Sequence, residues 1–331
     1  MMDDKTVSVI IPVFNVKDYL SECLDSVCGQ TCSDIEIIVI DDGSTDGSSE
    51  ICERYRKKDE RIIYLRKDNG GAAAARNIGI DSAGGRWITF CDSDDMLSPV
   101  YIEKLRCAAE SSEADIVSCG YTTDLSLREV QTDGNQECND ANGVEQTGSA
   151  QRSSFVNTGI EALKQNLVRQ TLWGKLYRKS VFDDIRIPNL SVHEDVAVIY
   201  RLYYKASKVV DIPDILYYNR IRLGSLSEHG LVLGVQLGRL PVLKDKMGFF
   251  KEKGQTTLYQ MAVKEYVINL LTFIEQADKA GDKEMKRKLK GSFDEIYPEI
   301  ISMPGSSAFH FSLRAAKISP RLWTAMNRLR K

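Results

Sequence analysis

Short branched-aliphatic runs recur through the first 120 residues: VSVII (Val7 to Ile11), IEIIVI (Ile35 to Ile40), RIIYL (Arg61 to Leu65), RWITF (Arg86 to Phe90) and DIVSCG (Asp115 to Gly120). Between them lie helix-like stretches at Tyr19 to Val27, Gly47 to Lys57, Ala72 to Ala83 and Tyr101 to Glu110. Near-continuous apolar strands separated by helices predict an α/β fold, a mostly parallel, doubly wound sheet covered on both faces. Ligands of such sheets bind beyond the carboxyl ends of the strands. Here those ends read PVFN, DDGSTDGS, RKDNGG and CDSDD. Four loops of this character are expected to converge on one crevice.

From Tyr121 to Ser154 the chain turns polar and loses its period, which predicts a hairpin followed by a loop or lid. Order resumes with a helix near Gly159 to Arg169, then LWGKLYRKSVF, then a helix in VHEDVAVIYRLYYKA opened by acidic residues. Strand-like VVDI and ILYYNRI follow. From about Leu231 the pattern is helical, clearest over Tyr259 to Ala277. The expected organisation is an α/β first part (1–120), a second part (121–228) and a helical region (229–331); the resemblance described below implies that the first two are the nucleotide-binding and acceptor halves of one domain.

Composition narrows the class only modestly. The 331 residues hold 44 Lys+Arg against 47 Asp+Glu, without the basic excess that nucleic-acid binding favours. The start, MMDDKTVSVIIPVFN, lacks the basic and apolar regions of a signal peptide, and no stretch approaches a membrane span. A cytoplasmic protein is expected. All eight cysteines lie in the first 138 residues without paired metal-ligand spacing, which predicts free, mostly buried thiols.

The segment ITFCDSDDML ends an apolar run in three carboxylates within four residues. Two like charges about 4 Å apart repel by roughly 4 kcal/mol at an effective dielectric of about 20. Something must offset them: helix capping before SPVYIEKL, exposure to water, or a bound cation. Asp92 and Asp94 stand at i and i+2, so in extended geometry both side chains point the same way. Paired hard-oxygen donors of this kind hold Mg²⁺ or Mn²⁺, with ligand phosphates completing the shell. DDGSTDGS is a turn signal, and it also puts Asp42 beyond an inner strand, where a carboxylate could accept from a base or a ribose. In DNGGAAAARNIGI, Gly71 and its neighbours allow close approach of backbone to a ligand and open a helix whose N-terminus favours phosphate. Arg76, one turn in, can pair with an anion.

Taken in order, VSVIIPVFN, IEIIVIDDGSTDGS, NGGAAAARNIGI, GGRWITFCDSDD, LWGKLYR, HED and YYNRIRLGS resemble the family 2 glycosyltransferases of GT-A fold over about residues 7 to 227, especially non-processive bacterial members that build surface glycans. That resemblance implies roles. Pro12 and Phe14 would border the nucleotide base and Asp42 would hold its uracil edge, with Arg76 near the base or diphosphate. Asp92, with Ser93 alongside, would contact ribose or metal, and Asp94 would be the principal ligand of Mn²⁺ or Mg²⁺. Asp195, with Glu194 beside it, would be the catalytic base of an inverting transfer from a UDP-sugar donor. Trp173 and Lys175 would meet the acceptor or donor sugar, and Arg222 and Ser225 the diphosphate. His193 could touch the acceptor or simply end a loop.

The acceptor implied is a glycan or a polyprenyl-diphosphate-linked glycan. The rival readings are a non-catalytic sugar-nucleotide binder, which would not need HED, and a nucleotidyltransferase, which would carry a glycine-rich loop where PVFN stands. The tail FHFSLRAAKISPRLWTAMNRLRK is basic and amphipathic, so residues 309–331 could lie on an anionic membrane, at the inner face of the plasma membrane, or pack as a helix with a solvated basic face. The helical region could also form a homodimer interface.

Overall fold

The computed structural model describes residues 6–126, 155–222, 233–305 and 307–318. The chain divides into two compact units, Met1–Arg222 and Leu223–Lys331.

In the first unit β1 (Val7–Val13), β2 (Ile35–Asp41), β3 (Ile62–Arg66) and β4 (Trp87–Phe90) are parallel in the order β3-β2-β1-β4. Helices α1 (Lys17–Cys28), α2 (Ser48–Arg56) and α3 (Ala72–Ser82) make the crossovers. Both faces of these strands are covered. Val7, Val9, Ile11 and Val13 pack with Leu20 and Leu24 of α1, whereas Ile10, Ile38 and Ile40 face Ala73 and Ile80 of α3. This is why the strands read as unbroken apolar runs. Gly79 lets α3 lie directly on β1: a Cβ there would stand 2.4 Å from Ile10 Cγ2. Register pairs Val13 with Asp41 and Asp41 with Arg66, so the loops after β1, β2 and β3 leave from one edge.

Beyond β4 the sheet is no longer simply parallel. β8 (Lys175–Arg178) inserts antiparallel between β4 and β6 (Ile116–Thr122), followed by β9 (Val209–Tyr218) and the two-residue β5 (Met96–Leu97). β7 (Phe155–Asn157) pairs β9 from the side. VVDI and ILYY belong to one ten-residue strand rather than two. Its register slips where Ser118 faces Asp211 but Gly120 faces Ile215, and Pro213, which has no N–H to donate, lies in the slip. The helix expected near Gly159 to Arg169 ends early, at Lys164. The expected hairpin or lid falls largely on residues 127–154, outside the described residues.

The second unit contains helices Leu233–Leu237, Arg239–Glu252, Thr256–Lys279, Lys283–Ser302 and Ser307–Ile318. Its core gathers Tyr266, Leu270 and Ile274 with Leu289, Phe293 and Leu313. The described part of the tail is therefore a packed helix. Phe311 and Ile318 remain 62% and 78% exposed, and the rest of the tail (319–331) lies outside the described residues. No described helix is long and apolar enough to cross a membrane. Seven cysteines are described, all free thiols, and only Cys107 is exposed.

Candidate active site

The turn after β4 is built around Asp95. Its N–H donates to the Asp92 carbonyl at 3.0 Å. Its buried carboxylate accepts from Tyr217 Oη at 2.7 Å, Asn219 Nδ2 at 3.1 Å and the Arg220 N–H at 2.8 Å. Burial, with the neighbouring Asp92 charge behind it, pushes this carboxyl up to about 7. Asp94 accepts from Arg222 Nε at 2.5 Å, while its carbonyl accepts from Arg220 Nε at 3.1 Å. Asp92 accepts from Arg76 Nη2 at 2.7 Å. The repulsion evident in the sequence is thus offset inside the protein by arginines and by the end of β9. Asp95 was not among the expected site residues. Its only signal was being the third carboxylate, since its partners lie more than 120 residues further on.

Arg76 is the hub of the site. Its side chain is 7% exposed and meets three carboxylates: Asp92 at 2.7 Å, Glu194 at 2.9 Å and Asp195 at 3.7 Å. The guanidinium therefore joins the DSD turn to the first turn of the helix Glu194–Lys205. Two of these acidic partners, Glu194 and Asp195, come from the far half of the chain.

Asp195 is held asymmetrically. Its Oδ2 accepts the Leu172 N–H at 3.1 Å, while Oδ1 is buried without a hydrogen-bond partner. Burial, opposed by Arg76 and reinforced by Glu194 and Asp92, pushes the carboxyl up to about 6. A carboxylate with one oxygen anchored and the other uncommitted can accept a proton near neutral pH. Glu194 is spent on Arg76. His193 precedes both with φ of 63°, a left-handed backbone at the helix entrance. Strained backbone of this kind is often found at functional sites.

On the nucleotide side, Pro12 pairs with Ile40 and Phe14 lies 46% exposed just past β1. Asp42 is buried. It accepts from the Gly70 and Gly71 N–H groups at 2.9 and 2.7 Å and from the Lys67 ammonium. It ties the third loop to the second, and Gly71, with φ of 90°, opens α3. The preceding Asp41, not singled out from the sequence, accepts from Ser44 N–H, Ser49 Oγ and Tyr64 Oη. Burial works against its charged form, but these hydrogen bonds win and its pKa is lowered.

Near the Leu172 anchor, Trp173 stacks on Tyr217 with centroids 4.6 Å apart and meets the edge of Tyr121 at 5.1 Å. Arg169 lies over Tyr121 and Trp173 at 5.2 and 5.8 Å. Lys175 is fully buried and its Nζ donates to the Thr171 carbonyl. Ser93 is buried in the DSD turn, and Ser225 lies outside the described residues. The structure thus gathers Asp92, Arg76, Glu194 and Asp195, with Asp94 and Arg222 adjoining, and it keeps the Lys175 side chain inside the protein.

Hard carboxylate oxygens on one turn suit Mg²⁺ or Mn²⁺, and the Arg222 guanidinium on Asp94 shows that this carboxylate already attracts a cation. Among the described residues no three His, Cys, Asp or Glu side chains group to hold a metal. A divalent ion held by Asp92 and Asp94 would therefore need its remaining ligands from a bound phosphate and water.

A parallel nucleotide-type half-sheet, a carboxylate turn beyond β4 and an acidic helix start facing it define a GT-A glycosyltransferase. Residues 8–186 match the family model described as Glycosyl transferase family 2, and the chain belongs to that family. It is 30% identical over 328 residues to the putative glycosyltransferase EpsH of Bacillus subtilis, covering 93% of this chain and 89% of that one. It is 34% identical to the glycosyltransferase GlyA of Streptococcus pneumoniae, over 79% of this chain but only 38% of that relative's length. Among solved structures, S. aureus TarS 1–349 in complex with UDP-GlcNAc superposes with a TM-score of 0.58 at 18% identity, covering 88% of this chain and 92% of that one. The Pyrobaculum calidifontis mannosyltransferase PcManGT with GDP-Man and Mn²⁺ gives 0.52 at 13% identity, covering 97% and 85%. At these identities the likeness concerns the fold.

Proposed function

We propose that the protein transfers a sugar, with inversion, from a UDP-sugar to a hydroxyl of a glycan or polyprenyl-diphosphate-linked acceptor. Asp195 carries the reading. One carboxylate oxygen is pinned by the Leu172 N–H, and the other is enclosed without a hydrogen-bond partner, 3.7 Å from the Arg76 guanidinium. In the transfer, the acceptor hydroxyl loses its proton to Asp195 Oδ1 as its oxygen attacks the anomeric carbon and the nucleoside diphosphate departs. Arg76 holds the base and the donor-side Asp92 in one frame, which is the positioning that a direct displacement needs. Asp94 and Asp92 would hold Mn²⁺ or Mg²⁺, and such an ion offsets the charge that develops on the leaving diphosphate. UDP as the donor nucleotide is supported by the TarS complexes with UDP and UDP-GlcNAc.

The direct test is to incubate the protein with UDP-sugars, Mn²⁺ and candidate acceptors, and to compare it with Asp195→Asn. Loss of turnover with retained UDP binding supports the assignment, and wild-type turnover in the variant defeats it. Peripheral membrane contact through residues 309–331 belongs to the same reading, supported by exposed Phe311 and Ile318 beside basic positions. Removing residues 312–331 should release the protein from anionic liposomes, and unchanged binding would exclude the contact.

A further inference from the structure

The two carboxylates of the DSD turn are each met by an arginine, but the two arginines are held very differently. Arg76 is nearly buried and gripped by Asp92, Glu194 and Asp195. Arg222 is 27% exposed and has one carboxylate, Asp94, on its Nε at 2.5 Å. Among the described residues its guanidinium also lies over the Tyr19 ring, 5.5 Å from the centroid. A single, partly exposed ion pair of this kind is a modest bond. It nevertheless occupies Asp94 Oδ2, an oxygen that a divalent ion at this turn would use. Guanidinium and metal ion repel each other when drawn to one carboxylate, so the Arg222 pair weakens the hold of Asp94 on a divalent ion.

The backbone leading to Arg222 is not free to leave with it. Asn219 Nδ2 and the Arg220 N–H donate to Asp95, and the Arg220 side chain bridges the Asp94 carbonyl and Glu22 at 3.1 and 2.6 Å. Arg220 also lies over Tyr19 at 5.2 Å. A guanidinium released from Asp94 therefore stays within a side-chain length of the turn, beside whatever anion the turn recruits.

We propose that Arg222 is an exchangeable counterion. It neutralises Asp94 until a divalent ion and a nucleoside diphosphate arrive together, and then passes from Asp94 to a diphosphate oxygen. The proposal rests on Asp94 being a metal-side carboxylate. It makes metal and nucleotide binding cooperative through this one residue. Metal alone must displace Arg222 and leave it unpaired, whereas metal with nucleotide supplies the displaced arginine with a new anion.

The experiment measures Mn²⁺ binding to the full chain by the loss of the free-ion EPR signal, with Mn²⁺ alone and with Mn²⁺ plus UDP. The proteins compared are wild type, Arg222→Gln, Arg222→Lys and Asp94→Ala. Wild type is expected to bind Mn²⁺ alone weakly and at least tenfold more tightly with UDP. Arg222→Gln should bind Mn²⁺ alone at least fivefold more tightly than wild type, and its gain from UDP should shrink by a similar factor. Arg222→Lys, which keeps the charge without the fixed Nε contact, should fall between them. If Arg222→Gln binds Mn²⁺ alone no better than wild type while Asp94→Ala loses the ion, the counterion role is wrong and the metal reading stands. If wild type binds no Mn²⁺ even with UDP, or if Asp94→Ala binds as well as wild type, metal binding at Asp94 is wrong and this proposal falls with it.

Discussion

The backbone N–H of Leu172 donates to Asp195 Oδ2 at 3.1 Å, joining the loop ahead of β8 to the first turn of the helix that begins at Glu194. The contact leaves Oδ1 without a hydrogen-bond partner, which is the atom the proposed base would use. Because burial pushes this carboxyl up to about 6, turnover should be flat above roughly pH 7 and fall below pH 6, approaching tenfold per pH unit. A pH–rate profile of kcat/KM, which reports the groups of the free enzyme, checks this. A profile flat to pH 4.5 would remove Asp195 from the role of base.

The same shift has a consequence for stability. Folded Asp195 holds its proton to about pH 6, whereas in the unfolded chain it ionises near its ordinary value of 3.8. Between those values the unfolded state binds fewer protons, so this group lowers stability as pH rises from about 4 to 6 and keeps it lowered above that. Asp195→Asn should therefore melt a few degrees higher than wild type at pH 7, with the gap closing by pH 4. Thermal melts at the two pH values measure it, and a variant that melts lower at pH 7 contradicts the expectation.

Among the described residues Arg76 is the guanidinium paired with Asp195, and it lowers that carboxyl's pKa. Arg76→Met should shift the acid limb of the rate profile to higher pH. It also leaves three crowded carboxylates without their shared partner, and breaking a buried pair typically costs about 3–5 kcal/mol. Urea denaturation should show that loss. A variant as stable as wild type would mean that the cluster is neutralised by something else.

How much of this was legible follows from sequence distance. The parallel half could be read because its strands are buried on both faces and therefore nearly continuous in apolar residues. The DSD turn and the HED helix start could each be found as local signals. Their connection through Arg76 could not, because Glu194 lies 118 residues from it. The same holds for β8, whose four residues KLYR declare neither their direction nor their place between β4 and β6. Pro213 made one bulged strand look like two. Lys175, taken as a sugar contact from its position in LWGKLYR, turned out to point its ammonium into the protein, and nothing in the chain's alternation reveals that a lysine is paired inside.

Lys175 therefore offers a test that separates scaffold from site. Its side chain is fully buried and bonds the Thr171 carbonyl, within the loop that carries the Leu172 anchor. Lys175→Met would fill the space but leave that carbonyl unpaired, at a cost of about 1–3 kcal/mol. The KM for the sugar nucleotide should change less than twofold. A rise in KM of tenfold or more with unchanged stability would restore Lys175 to the binding surface.

Gly79 links packing to the site most directly. Its missing side chain lets α3 touch β1, and α3 carries both Gly71, whose N–H is on Asp42, and Arg76. In Gly79→Ala the new Cβ would lie 2.4 Å from Ile10 Cγ2 and 3.1 Å from Ile40 Cδ1, so the helix must lift away from the sheet. Overpacking of this kind costs about 1–3 kcal/mol, and the lift moves Arg76 relative to Asp92 on β4's turn. Both melting temperature and kcat should fall. Gly248→Ala, on the surface of the helix Arg239–Glu252 where the added Cβ would meet nothing within 4 Å, should leave kcat unchanged and should not lower the melting temperature. If Gly79→Ala lowers stability but leaves kcat at the wild-type value, the seating of α3 on β1 does not set the geometry of the carboxylate cluster.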